Sequence, residues 1–385
     1  LTLKKLVTLV VAAFVVLTSC NNTELYENES IDSNAIDFST YVNTTSRTTD
    51  ITNKTIKDFI VYGLSGQSST GTGWNKILDN ETVTAYDSNA SGWSYPNVKY
   101  WTKGLYYRFL AIAPATTNAA LTFDADGTDN ATISYTNIQD NPQTDGRNDL
   151  LYAYKGDIQG LATGNLPVKL EFNHLLARVK FRFVATNEYS ESGVNYNPAN
   201  AHYAVYNVKL KGTYKLGSIN VKSIAKNWHT QTWLLSDANK DLSGLNFGEV
   251  KYQKNTSDAL TSVSKDGVEY YYFDNDGSGD TDPLYIIPST NSNYSLTFDF
   301  EYFLTVPDGN GGYLKNSDNS LAGTWIRAKG EIKAADMPKF AMQIGYSYVY
   351  TIHINAKNIT KRYESDPETT EPIQFTVSDI SSWQN

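Results

Sequence analysis

After residue 20 the hydrophobic pattern of this chain has a period of two. Ile36, Phe38, Thr40 and Val42 alternate with Asp37, Ser39, Tyr41 and Asn43. Val168, Leu170 and Phe172 alternate with Lys169, Glu171 and Asn173. Tyr346, Tyr348, Tyr350, Ile352 and Ile354 face away from Ser347, Val349, Thr351, His353 and Asn355. Successive side chains of a strand point to opposite faces, so this spacing makes half-buried strands; no stretch of convincing length repeats at the 3.6 residues of an amphipathic helix. Two runs, Phe59-Ile60-Val61-Tyr62 and Leu105–Ala113, are nearly continuous in apolar residues and predict strands covered on both faces. Composition agrees, with 28 Tyr against 15 Phe and 7 Trp, residues that suit a pleated, half-buried surface. The predicted class is all-β: many short strands between Gly/Asn/Asp turns, arranged as two β-sandwiches in series.

The length of 385 residues favours two domains, each large enough to bury a core without a disulfide. The polar stretch 186–200, with Gly193 and Pro198, marks the boundary, so the chain divides into 1–19, 20–34, 35–188 and 200–385. One irregularity stands inside the first domain. Leu175, Ala177, Val179, Phe181 and Phe183 continue the apolar series of 168–172 one residue out of phase, which predicts a β-bulge or a tight connection at Asn173-His174. Near the end, the charged stretch Lys357–Pro372 reads as a linker, followed by a last strand in which Ile373, Phe375 and Val377 alternate with Gln374, Thr376 and Ser378, then Ile380 and Trp383.

Residues 1–19 read as a secretion signal. Lys4 and Lys5 are positive, and Leu6–Leu17 is apolar except for Thr8, too short to span a membrane as a helix. The run ends in Leu17-Thr18-Ser19-Cys20, a small residue before the only cysteine of the chain, as in a bacterial lipobox. Cys20 is the predicted acylation site, and the acidic stretch 20–34 the tether of a lipid anchor.

Net charge is −9, which disfavours nucleic-acid binding, since that needs a basic stripe. One cysteine excludes an intramolecular disulfide and a cysteine metal cluster. No G-x-S-x-G, H-E-x-x-H, P-loop or dinucleotide pattern occurs, so no catalytic residue and no cofactor are predicted. Asp274-Asn-Asp276-Gly-Ser278-Gly-Asp280-Thr-Asp282 has oxygen donors at alternate positions, but Tyr285 stands where a calcium loop needs its bidentate glutamate; a hairpin turn is the simpler reading. His174, at the phase change, reads as a structural histidine.

Three stretches together resemble the fimbrillin family, the pilins of Bacteroides-type fimbriae: the lipobox followed by Ala35-Ile36-Asp37-Phe38 and the Arg47 loop, the segment Leu166–Phe181 around His174, and Gly345–Ile354 followed by Ile373-x-Phe375 and Trp383. The resemblance implies two transthyretin-like β-sandwich domains after a lipoprotein signal peptide and no enzymatic activity. It implies export as an outer-membrane lipoprotein precursor, then residence in a cell-surface fimbrium serving adhesion. It also implies cleavage by an arginine-specific maturation protease in the loop after the first strand, where Arg47 is the matching residue, although a solvated loop charge is the alternative. Cutting there would remove the strand carrying Ile36, Phe38 and Val42 and open a groove for a strand from another fimbrial subunit. Ile373, Phe375, Val377 and Ile380 form the candidate donor, unless that strand completes its own sandwich with Trp383 as a plug. The rival reading is a surface glycan-binding lipoprotein with Trp74, Trp93 and Trp101 as stacking platforms, against ordinary core or edge packing as the alternative for these rings.

Overall fold

A computed structural model describes residues 34–42, 55–70, 73–87, 92–124, 127–136, 149–186, 201–221, 231–252, 278–289, 294–305, 323–332, 342–355 and 375–382, with short pieces at 263–265, 268–270, 273–274, 308–310 and 314–318. Cys20, Arg47, Ile373 and Trp383 lie outside the described residues.

The first half contributes β1 (Phe38–Val42), β2 (Asp58–Gly66), β3 (Asn75–Ala85), β4 (Trp93–Ser94), β5 (Tyr106–Ala113), β6 (Ala119–Asp124), β7 (Gly127–Thr136), β8 (Leu151–Gln159) and β9 (Val168–His174). Next come β10 (Ala177–Thr186), β11 (Ala201–Lys211), β12 (Thr213–Tyr214), β13 (Leu216–Asn220) and β14 (Leu234–Leu235). The fold is all-β. A seven-stranded sheet runs β1-β9-β8-β5-β2-β3-β4, antiparallel throughout except that β1 lies parallel to β9.

The two continuous apolar runs occupy the middle of this sheet, as their composition requires. On β2, Phe59 and Val61 enter one core, and Tyr62 and Leu64 another; on β5, Phe109 and Ala111 go to the first, Leu110 and Ile112 to the second. The second core is covered by a four-stranded sheet, β14-β13-β7-β6, which supplies Ile133 and Ile219, with Trp233 from the residue before β14. The first core is closed by residues from both ends of the seven-stranded sheet, including Phe38, Val168, Phe172 and Trp93.

The phase change at Asn173-His174 is a tight connection and not a bulge: the two residues Leu175 and Leu176 carry the chain from one sheet to another. β9 ends at His174, and β10 starts at Ala177 parallel to strand Tyr346–Asn355 in a different sheet. The intervening Leu175 and Leu176 are fully buried, and their backbone is tied down: Leu175 N–H donates to Leu150 O at 2.8 Å, Trp233 Nε1–H to Leu175 O at 3.1 Å, and Gly345 N–H to Leu176 O at 3.0 Å. His174 and Asp149, both 0% exposed, meet at 2.6 Å beside the crossing, while Asp149 Oδ1 accepts from the Leu150 N–H.

The expected division at 188–200 therefore does not follow the sheets. β10 already belongs with the C-terminal strands, whereas β13, from beyond residue 200, pairs with β7 of the first half. Leu175, Leu176, Tyr285, Ile287 and Ile344 join the core that holds Tyr62 and Leu110, so the two halves share buried contacts. A polar stretch in sequence marks where chain can lie at the surface; it does not say which sheet the next strand joins.

In the C-terminal half, β10 and strand Tyr346–Asn355 form one layer, and β11, Ser295–Thr305 and Gly323–Ile332 form the other. Phe181, Phe183, Val208, Phe298, Tyr348 and Tyr350 fill the core between them. The tail strand, Phe375–Ser382, ends the first layer, antiparallel to Tyr346–Asn355.

Candidate functional site: the ribbon 34–42 and its slot

Residues 34–42 lie in a slot with two unlike walls. Along β1 the wall is β9, with Phe38 opposite Val168, Thr40 opposite Leu170 and Val42 opposite Phe172, and with Val168 N–H donating to Asp37 O at 2.7 Å. Before β1 the wall is 99–101, on the chain that follows β4 at the other end of the sheet. Ala35 bridges Tyr100 in antiparallel sense, Ile36 N–H donates to Lys99 O at 2.8 Å, and Trp101 N–H donates to Asn34 O at 3.0 Å. The ribbon thus ties the two ends of the curved sheet together over the core.

Side chains complete the fastening. Asn34 Nδ2–H donates to Trp101 O at 2.9 Å, and Asn165 Nδ2–H to Asn34 Oδ1 at 3.1 Å. The Tyr95 hydroxyl donates to Ile36 O at 2.8 Å and accepts from Lys99 N–H at 3.1 Å, so one phenol holds ribbon and wall together. Its burial pushes the Tyr95 pKa up to about 12, leaving it a neutral donor at any physiological pH. Partial burial also pushes the Asp37 carboxyl up from its ordinary value.

The alternation read from sequence is realised: Ile36, Phe38 and Val42 are buried, Asp37 and Tyr41 are exposed, and Thr40 is half-buried. The Phe38 ring sits 5.9 Å from Phe59, 5.6 Å from Tyr95 and 5.7 Å from Phe109, centre to centre. Burying these three apolar side chains contributes roughly 1.5–3 kcal/mol each before ordering costs. On the outer face, Lys169 pairs with Glu171 at 2.9 Å and lies over the Tyr41 ring. Among the described residues, no strand pairs with the outer side of β1.

The tail strand lies in its own sheet. Its register sets Phe375 opposite Ile352, Val377 opposite Tyr350 and Ile380 opposite Tyr348. The pairing shifts between Val349 and Tyr350, where Asp379 and Val377 are the successive partners, so Ser378 is an inserted bulge residue. The bulge brings Ile380 into register two partner positions beyond Val377, although two residues, Ser378 and Asp379, lie between them.

Trp74, Trp93 and Trp101 are not stacking platforms: their exposures are 9%, 6% and 4%. Trp74 lies under the Arg108 guanidinium at 4.2 Å, Trp93 packs edge-on against Phe59, and Trp101 against Tyr107. Each ends up at the margin of a curled sheet, where a large ring seals the core. Asp280, from the oxygen-rich turn, forms ion pairs with Lys180 and Arg182 of β10. What sequence reasoning missed is the 99–101 wall and Tyr95, whose residues carry no pattern that points to a partner some sixty positions away.

The sequence profile of the fimbrillin-like family matches residues 44–379. The chain belongs to the fimbrillin-like family. Among solved structures, this fimbrillin-like chain is similar to a fimbrial protein from Bacteroides vulgatus, with 18% identity, a TM-score of 0.58, and coverage of 91% of this chain and 100% of that one. A candidate cell adhesion protein from Bacteroides ovatus aligns with 13% identity and a TM-score of 0.45 over 91% of this chain and 98% of that one. At such identities the likeness concerns the fold. No curated protein matches the chain.

Proposed function

We propose that this fimbrillin-like chain is a structural subunit of a cell-surface fimbria, built on two transthyretin-like sandwiches. It is exported as a lipoprotein acylated at Cys20 and matured by an arginine-specific protease at Arg47. Cleavage releases the ribbon with the lipid, and a strand from a neighbouring fimbrial subunit takes its place. The observation that carries this reading is the position of the ribbon: an end strand, parallel to β9, whose Ile36, Phe38 and Val42 seal a core in which they are the first residues of the chain.

The physics favours exchange once the ribbon is gone. The slot loses main-chain partners at Val168, Lys99 and Trp101, and an unpaired sheet edge beside exposed apolar surface is a strong pairing site. A strand that enters restores backbone hydrogen bonds and fills the pockets with alternate side chains. One slot and one donor per subunit give a head-to-tail contact that does not close, and hence a filament. Ile373, Phe375, Val377 and Ile380 are the donor residues in this reading, leaving their own sheet for the neighbour's slot.

The test is digestion of the purified precursor, residues 21–385, with an arginine-specific protease. SDS-resistant oligomers are expected after the cut and absent before it, and Arg47→Ala is expected to stay monomeric. Oligomers of normal length from Arg47→Ala would overturn the Arg47 assignment. A cut protein that stays monomeric would overturn strand exchange.

A further inference from the structure

The two walls impose position-by-position demands on whatever occupies the slot. Positions 36, 38 and 42 must be apolar, because Ile36, Phe38 and Val42 are buried there; position 38 faces three aromatic rings. Position 40 is half-buried, and positions 37, 39 and 41 look outward or to the rim. Toward 99–101 the occupant must offer the N–H of position 36 and the C=O of position 34. The bridge of Ala35 with Tyr100 is of the non-hydrogen-bonded kind, made by the flanking residues, so the wall makes no use of the N–H at position 35.

The end of the chain meets this list. Ile373-Gln374-Phe375-Thr376-Val377 matches Ile36-Asp37-Phe38-Ser39-Thr40, with the isoleucine and phenylalanine identical and Thr for Ser. Pro372 then falls at position 35. Proline has no N–H and would break most strand pairings, but this is the position whose N–H the wall leaves aside. Val377 replaces Thr40 with a side chain of the same shape and no hydroxyl, and Gln374 replaces Asp37 with a neutral group. A straight continuation would put Asp379 into the apolar pocket of Val42. The bulge at Ser378, already present in the tail's own sheet, avoids that by bringing Ile380 into phase with Val377.

We propose that the tail of a second copy occupies the slot in one register, with Pro372 at the site of Ala35, Ile373 at Ile36, Phe375 at Phe38, Val377 at Thr40 and, through the Ser378 bulge, Ile380 at Val42. This rests on the strand-exchange reading and adds the register and the residues that select the partner. The ribbon is then a look-alike of the donor, with Thr40 and Asp37 as its two weaker positions, so replacement of ribbon by tail runs toward the better fit.

The register is read by disulfide trapping. Ser39 is the partner of Lys169, and Thr376 matches Ser39. Three double variants of the same precursor, residues 21–385, are made: Lys169→Cys with Thr376→Cys, with Gln374→Cys, and with Ser378→Cys. Parallel neighbours can be bridged only when in register, because a disulfide tolerates little displacement. After cutting at Arg47 and mild oxidation, the Thr376→Cys pair is expected to give a covalent ladder on a non-reducing gel, and the other two single bands. Before the cut, all three stay monomeric, since Lys169 faces Ser39 and Thr376 faces Thr351 of its own sheet. A ladder from Gln374→Cys or Ser378→Cys instead overturns the register and leaves strand exchange standing. Polymer without a ladder from any of the three overturns both.

Discussion

Replacing Phe38 by alanine in the uncut precursor isolates the energy with which the ribbon is held. Phe38 is 5% exposed, and its ring touches three aromatic neighbours. Truncating a buried phenylalanine costs about 3–5 kcal/mol, and the curved sheet cannot collapse into the gap while Phe59 and Phe109 are held by their own strands. The loss falls on ribbon opening, since the other ribbon contacts and the rest of the core are untouched. At 1.4 kcal/mol per factor of ten, opening becomes roughly 10²–10⁴ times more frequent. Native-state hydrogen exchange reads this at two amides that exist as bonds only while the ribbon is docked, Ile36 N–H to Lys99 O and Val168 N–H to Asp37 O. Their exchange is expected to accelerate by that factor, while the Phe181 amide, bonded to Thr281 Oγ1 in the C-terminal half, keeps its rate. Under the proposed cleavage the mature protein lacks residue 38, so polymer made from Phe38→Ala should match the unmodified polymer in stability. Unchanged exchange at Ile36 and Val168 would refute the anchor role of Phe38. Equal acceleration at Phe181 would show that the ribbon opens only when the whole molecule unfolds.

Tyr95→Phe removes the hydroxyl shared by Ile36 O and Lys99 N–H and should weaken ribbon docking by about 1–2 kcal/mol, seen as faster exchange at Ile36 without loss of the fold. Asp149→Ala leaves His174 buried without its carboxylate partner at the sheet change and should lower the stability of the precursor by about 3 kcal/mol or more in urea titrations. At Asp280, burial works to raise the carboxyl, but Arg182 and Lys180 outweigh it and hold the pKa below its ordinary value. A depressed folded-state pKa means stability that is present above the unfolded value of about 4 and lost as the pH falls through the folded one. Asp280→Asn should therefore reduce stability at neutral pH and flatten the acid limb of the unfolding profile; an unchanged acid limb would rule out this carboxylate as a contributor.

Single strands were legible because alternation is a local property. The burial of Ile36, Phe38 and Val42, of Val168, Leu170 and Phe172, and of Tyr348, Tyr350 and Ile352 follows the order of residues directly. The double-sided burial of β2 and β5 follows from their unbroken apolar runs. The phase change at Asn173-His174 was visible too, but its meaning was not. A bulge within one sheet and a tight connection to another both shift the phase by one residue, and only the buried Leu175 and Leu176, hydrogen-bonded to Trp233 and Gly345, decide between them. The sequence leaves the tryptophans open between two places, because an aromatic in a turn-rich stretch is compatible with a surface platform and with the seal of a core. Trp93 and Trp101 are buried because the sheet curls until its margins meet.

By itself, the order of residues determined that the chain forms strands, which face of each strand is apolar, and that the ribbon and the tail carry nearly the same side chains. These depend on spacing along one segment. The tertiary structure alone decided which strands are neighbours: β1 beside β9 in parallel, Asn34–Ile36 against 99–101, β10 with strand Tyr346–Asn355, and β13 with β7. Backbone hydrogen bonds are alike at every residue, so they carry no address. Partners are chosen by which apolar faces can close over a common core, and that choice exists only once all the faces are assembled.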